Sequence, residues 1–226
     1  AGVATLGLAA CGEAPASTPA GSASTDDAAE DQEPVALDAD AYDKLIAAGS
    51  VADDATVAAS EWASKIKEAG TMRLGVVQTS MLFSLLNEKD GKLRGFDAGL
   101  SQLLVRYILG DESKFETTQV TSDTRESVLQ NDQVDAVFAT YSITEDRKKL
   151  ISFAGPYFVA GQDLLVRKDD NSINGPEDLN GKRLCSVTGS TSAATVKEKF
   201  ASEVQLMEQP GYAECATALF SGIVDA

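Results

Sequence analysis

Three hydroxyl residues and one arginine have the types and spacing that a small-molecule binding site requires. Thr140, Ser142 and Thr144 stand at alternate positions, and Arg147 follows them. Alternate residues of an extended segment share a face, so the three hydroxyls are expected to line up beside Arg147. A guanidinium that holds a carboxylate bidentately, aided by hydroxyl and backbone N–H donors, suits a small carboxylate ligand. The same residues also fit a plain helix start, with Thr144 as N-cap and no ligand.

A short buried strand is predicted to position these residues. Residues 134–139 are mostly apolar with an alternating pattern, and the chain turns polar directly after Ala139. Such a pattern is typical of a core strand. A helix over residues 123–131 is predicted to lead into it. The hydroxyl residues would therefore stand at the end of a strand whose own side chains are buried.

Two segments carry a resemblance to a known family. The residues ATYSITEDRKK (139–149) and ISFAGPY (151–157) resemble the polar-amino-acid family of ABC-transporter solute-binding proteins. They are most similar to its actinobacterial glutamate-binding lipoproteins. Gly95-Phe96-Asp97 resembles the signature before the family's first long helix, with Ala98 and Gly99 where an aliphatic and an acidic residue are usual. The resemblance covers about residues 60–226.

The fold that this resemblance implies is α/β, a two-lobed periplasmic-binding-protein type 2 fold. Residues 41–162 would form the first lobe with its N-terminal helices, and residues 163–226 a partial second lobe, truncated at the C-terminus. Residues 159–167 would be one of the two crossover segments that form the hinge. Two lobes of this kind close on an amino acid by a hinge motion and present it to a membrane permease.

The composition excludes several classes of function. The chain has 226 residues, a net charge of −16 and no histidine. The acidic balance argues against nucleic acid as a partner. Without histidine, neither a Ser-His-Asp triad nor a histidine metal site is possible, and three cysteines cannot complete a Cys₄ zinc site. No phosphate-binding Gly-Lys-Ser/Thr loop occurs either. We therefore expect no enzyme activity, no cofactor and no metal.

The N-terminal segment predicts a lipid anchor. Residues 1–11 are small and apolar and end in Leu-Ala-Ala-Cys11, which matches a lipobox at the end of a signal peptide. An ordinary signal-peptide end or a buried free cysteine is the alternative. Residues 12–40 lack large apolar side chains and predict a disordered tether. The protein would thus lie at the outer face of the cell membrane, in contact with it through the lipid anchor only.

Further helices and strands frame the first lobe. The pattern predicts helices over residues 41–49 and 54–69, capped by Asp54 and Gly70 in the second case, and a long helix up to residue 109 capped by Asp97. Strands are predicted over residues 71–77 and 115–120. Gln78 follows the first of these, and ligands in open α/β sheets lie beyond the carboxyl ends of strands. A polar loop without a ligand is the alternative for Gln78.

The second lobe has its own candidate anion site. A strand over residues 183–187 is followed by Thr-Gly-Ser-Thr-Ser (188–192) and a helix over 193–200. Free N–H groups and the helix dipole at such a helix start attract anions. Helix capping by Ser190 or Ser192 is the alternative.

An internal similarity links the two lobes. A helix that leads into residues 133–136 is repeated in kind by a helix that leads into residues 223–226, both including Val-Asp-Ala. This suggests two related lobes, the second cut off in mid-strand, and a sequence shortened at both ends. Cys185 and Cys215 are expected to form a disulfide, as an even pair in an exported protein commonly does. Two buried free thiols are the alternative.

The resemblance implies a role for six residues. Arg147 would hold the α-carboxylate of the ligand, helped by Ser142 and the backbone N–H of Thr191. The carbonyl of Thr140 would meet the α-amino group. The remaining two are Ser190, which would add a hydroxyl from the second lobe, and Gln78, which would lie near the ligand side chain.

Two features of the expected site are incomplete. Where many relatives stack an aromatic ring on the ligand, this chain has Met81, and the resemblance implies that the acidic residue that neutralises the ammonium would lie past Ala226. The expected function is that of a monomeric binding protein that captures an amino acid, glutamate first, for ABC permease subunits. An amino-acid-sensing surface lipoprotein, or an enzyme of the same fold acting on a small carboxylic acid, is the alternative.

Overall fold

The computed structural model describes residues 37–226. Cys11 with its predicted lipidation, the signal-peptide remnant and most of the predicted tether lie outside the described residues. Within residues 37–226, no helix has the length and apolar character needed to cross a membrane. The same residues contain no group of three or more His, Cys, Asp or Glu placed to hold a metal ion.

Three helices and then four strands open the described chain, and helices and strands alternate after them. The helices are α1 (Ala39–Ala47), α2 (Asp54–Ala58), α3 (Glu61–Ala69), α4 (Phe96–Leu109), α5 (Arg125–Gln130), α6 (Glu145–Lys148), α7 (Ser192–Lys199) and α8 (Tyr212–Phe220), with a 3₁₀ turn at Pro176–Leu179. The strands are β1 (Met72–Val76), β2 (Thr79–Ser80), β3 (Ser84–Asn87), β4 (Lys92–Arg94), β5 (Phe115–Gln119), β6 (Ala136–Phe138), β7 (Arg183–Val187) and β8 (Gln205–Gln209). We name residues 37–162 the first lobe and residues 163–226 the second lobe.

The first lobe is built on a parallel sheet with the order β5-β1-β6. Central strand β1 buries Met72, Leu74 and Val76 completely. Val105 of α4 and Ile66 of α3 belong to the same apolar cluster. Because β1 and β6 are neighbours and parallel, their carboxyl ends meet at one edge, which places the chain after residue 138 beside the chain after residue 76.

Several predicted boundaries of the first lobe are wrong in detail. Helix α1 begins at Ala39, two residues inside the predicted tether. The predicted helix 54–69 is two helices, because the hydroxyl of Ser60 accepts from the N–H of Ala63 and starts a new one. Asp53 rather than Asp54 caps α2. Gly70 ends α3 in the left-handed conformation, as predicted.

The second lobe is a two-stranded parallel sheet of β7 and β8 with α7 and α8 beside it. Its apolar side chains form two separate clusters, one around Leu179 and one around Val224. Cys185 of β7 and Cys215 of α8 are joined by a disulfide, with their Cα atoms 5.4 Å apart, which confirms the predicted pairing. This bond fastens α8 onto the sheet.

The same Arg–Asp clamp occurs in both lobes. In the first, the N–H of Arg73 donates to Asp135 at 2.7 Å, and its Nη2 donates to the same carboxylate at 2.6 Å. In the second, Arg183 makes the equivalent bonds to Asp225 at 2.9 and 2.7 Å. The backbone N–H of each aspartate also donates to the carbonyl of the same arginine at 2.8 Å. The internal similarity read from the sequence is therefore a repeated strand-to-strand connection.

Candidate functional site

Arg147 lies where the sequence predicted, one turn into a helix that follows β6. Thr144 is the N-cap of α6, and its hydroxyl accepts from the N–H of Arg147 at 3.3 Å. The short helix turns the guanidinium back toward the strand end, where Nη1 donates to the carbonyl of Ser142 at 2.9 Å. The helix start and the candidate site are therefore not alternatives: Thr144 caps α6, and the same helix positions Arg147.

The guanidinium of Arg147 also reaches the second lobe. Its Nη2 donates to the carbonyl of Gly189 at 2.8 Å, in the loop between β7 and α7. A guanidinium has five N–H donors, and these two hydrogen bonds use one on each Nη atom. Three donors therefore remain for a ligand, enough for a bidentate carboxylate.

A second arginine, which the sequence analysis did not single out, lies beside the first. Arg125 of α5 is only 2% exposed. Its Nε donates to the carbonyl of Ser122 at 3.0 Å, Nη1 to that of Ala139 at 2.9 Å, and Nη2 to that of Gly189 at 3.3 Å. The two arginines therefore share one acceptor in the second lobe.

Both guanidinium groups lie over the ring of Tyr141. The Cζ atoms of Arg125 and Arg147 are 4.0 and 4.4 Å from the centre of its ring, which is a cation–π arrangement. The hydroxyl of Tyr141 donates to Glu126, whose Oε1 is also 3.8 Å from Nε of Arg147. Within residues 37–226, Glu126 is the one carboxylate within 4.0 Å of either guanidinium, which leaves a local positive charge on a chain whose net charge is −16.

Burial and neighbouring charged groups shift the pKa values of Arg125 and Tyr141 in this cluster. Burial, followed by the proximity of Arg147, lowers the pKa of Arg125 to about 10. Burial and the hydrogen bond to Glu126 raise the pKa of Tyr141 to about 12. At neutral pH Arg125 therefore carries charge and Tyr141 is neutral. The cluster is therefore suited to an anionic group from a ligand.

Asp97 fixes the backbone at Thr140. The predicted N-cap role of Asp97 in α4 is wrong: the cap is Gly95, and Asp97 lies inside the first turn with 1% exposure. Its Oδ2 accepts from the N–H of Thr140 at 2.7 Å, and its Oδ1 accepts from the hydroxyl of Tyr157 at 3.1 Å. Thr140 has a φ of 45°, a conformation that threonine rarely adopts. The buried carboxylate thus holds a strained residue at the candidate site.

Replacement of Asp97 by alanine is expected to destabilise the protein by about 2–4 kcal/mol. Two polar groups, the N–H of Thr140 and the hydroxyl of Tyr157, would lose their acceptor, the buried carboxylate of Asp97. Asp97→Asn keeps an acceptor oxygen and should cost less than Asp97→Ala. Urea denaturation of the two variants measures the difference. An Asp97→Ala variant as stable as the unmodified protein would contradict this role.

The second-lobe residues of the predicted site lie in the loop that the arginines contact. Ser190 follows Gly189, and its Oγ is 3.3 Å from Oγ of Ser186. Thr191 is the N-cap residue of α7, whose first helical residue is Ser192, and it is exposed. No side-chain hydrogen bond caps α7, so the alternative of capping by Ser190 or Ser192 does not hold. The N–H of Thr191 stands at a helix start that adjoins Arg147.

Gln78 lies at the expected sheet edge, and within residues 37–226 it makes no hydrogen bond to Arg125 or Arg147. It is half-buried, and its carbonyl accepts from the N–H of Leu86 in the β2–β3 hairpin at 3.0 Å. Its neighbours Val77 and Thr79 line a cavity of about 80 Å³ between the lobes. The other lining residues are Gln119, Val120, Thr121, Ser122, Val187, Pro210, Gly211, Tyr212 and Glu214. Met81, at the position where an aromatic ring is common in relatives, is 75% exposed.

The lobes, their strand-end loops and the arginines between them define a class of protein, the type 2 periplasmic binding proteins. An ancestral arginine-binding protein bound to glutamine is a solved structure of this kind. It matches with a TM-score of 0.63 and 38% identity over 69% of this chain and 67% of that one. The two-lobed α/β fold expected from the sequence is therefore confirmed.

The chain belongs to the bacterial extracellular solute-binding proteins, family 3, which match it over residues 72–221. The glutamine-binding protein of Geobacillus stearothermophilus is 44% identical over 172 residues, 76% of this chain and 65% of that protein. The glutamate-binding protein GluB of Corynebacterium efficiens is 42% identical over 146 residues, 62% of this chain and 49% of that protein. The chain thus spans less than two thirds of the length of these relatives.

Proposed function

We propose that this protein is the amino-acid-binding component of an ABC transporter. It would capture a polar amino acid between its lobes and deliver it to the permease subunits. The observation that carries the proposal is the position of Arg147, which contacts Ser142 in the first lobe and Gly189 in the second. A carboxylate bound there would touch both lobes and so stabilise the closed form.

The assignment of the six site residues forms part of this proposal. Arg147, Ser142 and the N–H of Thr191 would bind the α-carboxylate, and the carbonyl of Thr140 the α-amino group. Ser190 would add a hydroxyl, and Gln78 would lie near the ligand side chain. Asp97 supports the role of the Thr140 carbonyl, because it fixes the backbone of Thr140.

Glutamate is the ligand that we propose first, and glutamine is its rival. Both have the same carbon skeleton, and relatives of similar identity are named for each of them. The two arginines, opposed by Glu126 alone within 4.0 Å in residues 37–226, favour the ligand with the additional negative charge. Glu214, which lines the cavity between the lobes, would favour an amide there.

The location and assembly that we propose follow the sequence. Cys11 would carry the lipid that anchors the protein at the outer face of the cell membrane, and the folded part would act as a monomer. Binding rather than catalysis is proposed, because the candidate site offers donors and acceptors for a ligand and no nucleophile with an adjacent base.

Isothermal titration calorimetry with the twenty amino acids tests the proposal. A thermal-shift screen precedes it, since ligand at 100 times its Kd adds about 2.7 kcal/mol to stability. Binding of glutamate at least about tenfold tighter than glutamine would support the full proposal. Tighter binding of glutamine would correct the specificity alone. No heat with any amino acid would contradict the function itself.

A further inference from the structure

We propose that Arg125 is a positioning residue that holds the second-lobe loop over the site by its bond to the Gly189 carbonyl. In this proposal the pair formed by Arg125 and Gly189, which we name the closure contact, joins the lobes without itself binding ligand. Its effect on ligand affinity rests on the proposed function. Its effect on the distance between the lobes does not.

Gly189 is seated directly on the backbone of the first lobe. Its φ is +78°, which already favours glycine. A Cβ atom added there would lie 2.8 Å from the carbonyl oxygen of Ser122 and 2.8 Å from Cα of Asp123. These neighbours are backbone atoms, which cannot move aside as the end of a flexible side chain could. Any residue larger than glycine would therefore push the loop away from the first lobe.

Arg125 is a buried cation whose acceptors are all backbone carbonyls. Ser122 and Ala139 belong to the first lobe, and Gly189 belongs to the second. Within residues 37–226, no carboxylate oxygen lies within 4.0 Å of its guanidinium, in contrast to Arg147 and its neighbour Glu126. Burial of a charge without a paired anion is costly, and fixed carbonyl dipoles are its only hydrogen-bonding compensation here. Removal of the Gly189 carbonyl would thus leave one face of Arg125 without its acceptor.

Substitution of Arg125 is expected to have two separate effects, because its three hydrogen bonds reach two different lobes. Loss of the bonds to Ser122 and Ala139 would alter the first lobe alone, and such a change appears as lower stability. Loss of the bond to Gly189 would alter closure, and such a change appears as faster ligand dissociation. A double-mutant cycle separates the two effects, because only the second one disappears once Gly189 has already been displaced.

The first test compares Gly189→Ala with Gly181→Ala. Gly181 lies in the same lobe with a φ of +74°, but a Cβ added there meets nothing within 4 Å. Both variants carry the same backbone strain, and only Gly189→Ala displaces the carbonyl that Arg125 and Arg147 share. We expect Gly189→Ala to raise the Kd for glutamate or glutamine about tenfold or more, mainly through the dissociation rate. Gly181→Ala should stay within about twofold of the unmodified protein, after correction for any loss of stability.

The second test adds Arg125→Met, which keeps the length of the side chain and removes its donors. Alone, Arg125→Met should also accelerate dissociation about tenfold, and in the Gly189→Ala background it should add little further. Fully additive effects of the two substitutions on the dissociation rate would overturn the proposal, because they would show that the residues act independently. Equal binding by Gly189→Ala and Gly181→Ala would overturn it as well.

A readout without any ligand keeps this proposal apart from the proposed function. Spin labels at Lys65→Cys and Lys199→Cys, in a Cys11→Ser background so that only the introduced thiols react, report the distance between the lobes. Gly189→Ala should lengthen or broaden that distance distribution relative to Gly181→Ala. If no amino acid binds but the distance changes, the proposed function fails and the closure contact stands. If amino acids bind and neither the distance nor the dissociation rate changes, the closure contact fails.

Discussion

Arg147→Ala is expected to raise the Kd for the amino acid about a hundredfold or more, so that calorimetry detects no binding at micromolar protein. Arg147 has three N–H donors available for a carboxylate after its bonds to Ser142 and Gly189. Loss of one partner of a buried, hydrogen-bonded charge pair costs about 2–5 kcal/mol, because the other charge stays desolvated and unpaired. The ligand carboxylate would be in that position.

Lys148→Ala is the matched control for this loss. Lys148 is the next residue of α6, and its Nζ is 2.8 Å from Glu145 on the exposed face of the helix. The substitution Lys148→Ala removes the same formal charge as Arg147→Ala without changing the site, so its effect on affinity should stay within about twofold. Unchanged affinity in Arg147→Ala would refute the assignment of Arg147. A loss as large in Lys148→Ala would show that net charge alone explains the result.

Local patterns were sufficient for the frame that holds Arg147. Strand β6 and the cap at Thr144 could be predicted, because alternation of apolar residues and a hydroxyl before two acids are signals within a few residues. The strand β7 and the helix after the 188–192 loop followed from similar signals. In each of these cases the determining contacts are close in sequence.

The role of Asp97 could not be predicted by the same reasoning. Aspartate near a helix start is commonly a cap, and nothing local marks this one as different. Its partners, Thr140 and Tyr157, are 43 and 60 residues away in sequence. Burial against those partners, rather than capping preference, decides its position. The error therefore reflects a tertiary contact that overrides a local preference.

Arg125 was missed for a related reason. In the sequence it is one charged residue in the predicted helix 123–131, and charged residues usually face solvent. Its burial requires the ends of β6 and β7 to meet above it, which only the assembled lobes provide. The hairpin β2–β3–β4 was missed because its strands, at two, four and three residues, are too short for a periodic pattern.

Removal of the disulfide is expected to destabilise the second lobe by about 3–4 kcal/mol in the double variant Cys185→Ser, Cys215→Ser. The two cysteines are 30 residues apart, and the chain-entropy model assigns a loop of this length that much stabilisation. The second lobe depends on it because its apolar side chains form two small clusters instead of one core. The bond fastens α8 to β7.

Urea denaturation of the double variant measures this loss, and the unmodified protein with reducing agent is its control. Both samples lack the crosslink, so their midpoints should agree and should lie below that of the oxidised protein. Agreement would show that the crosslink, and not the serine hydroxyls, accounts for the change. A double variant with the midpoint of the oxidised protein would mean that packing of Ala218, Leu219 and Val224 alone holds α8 against the sheet.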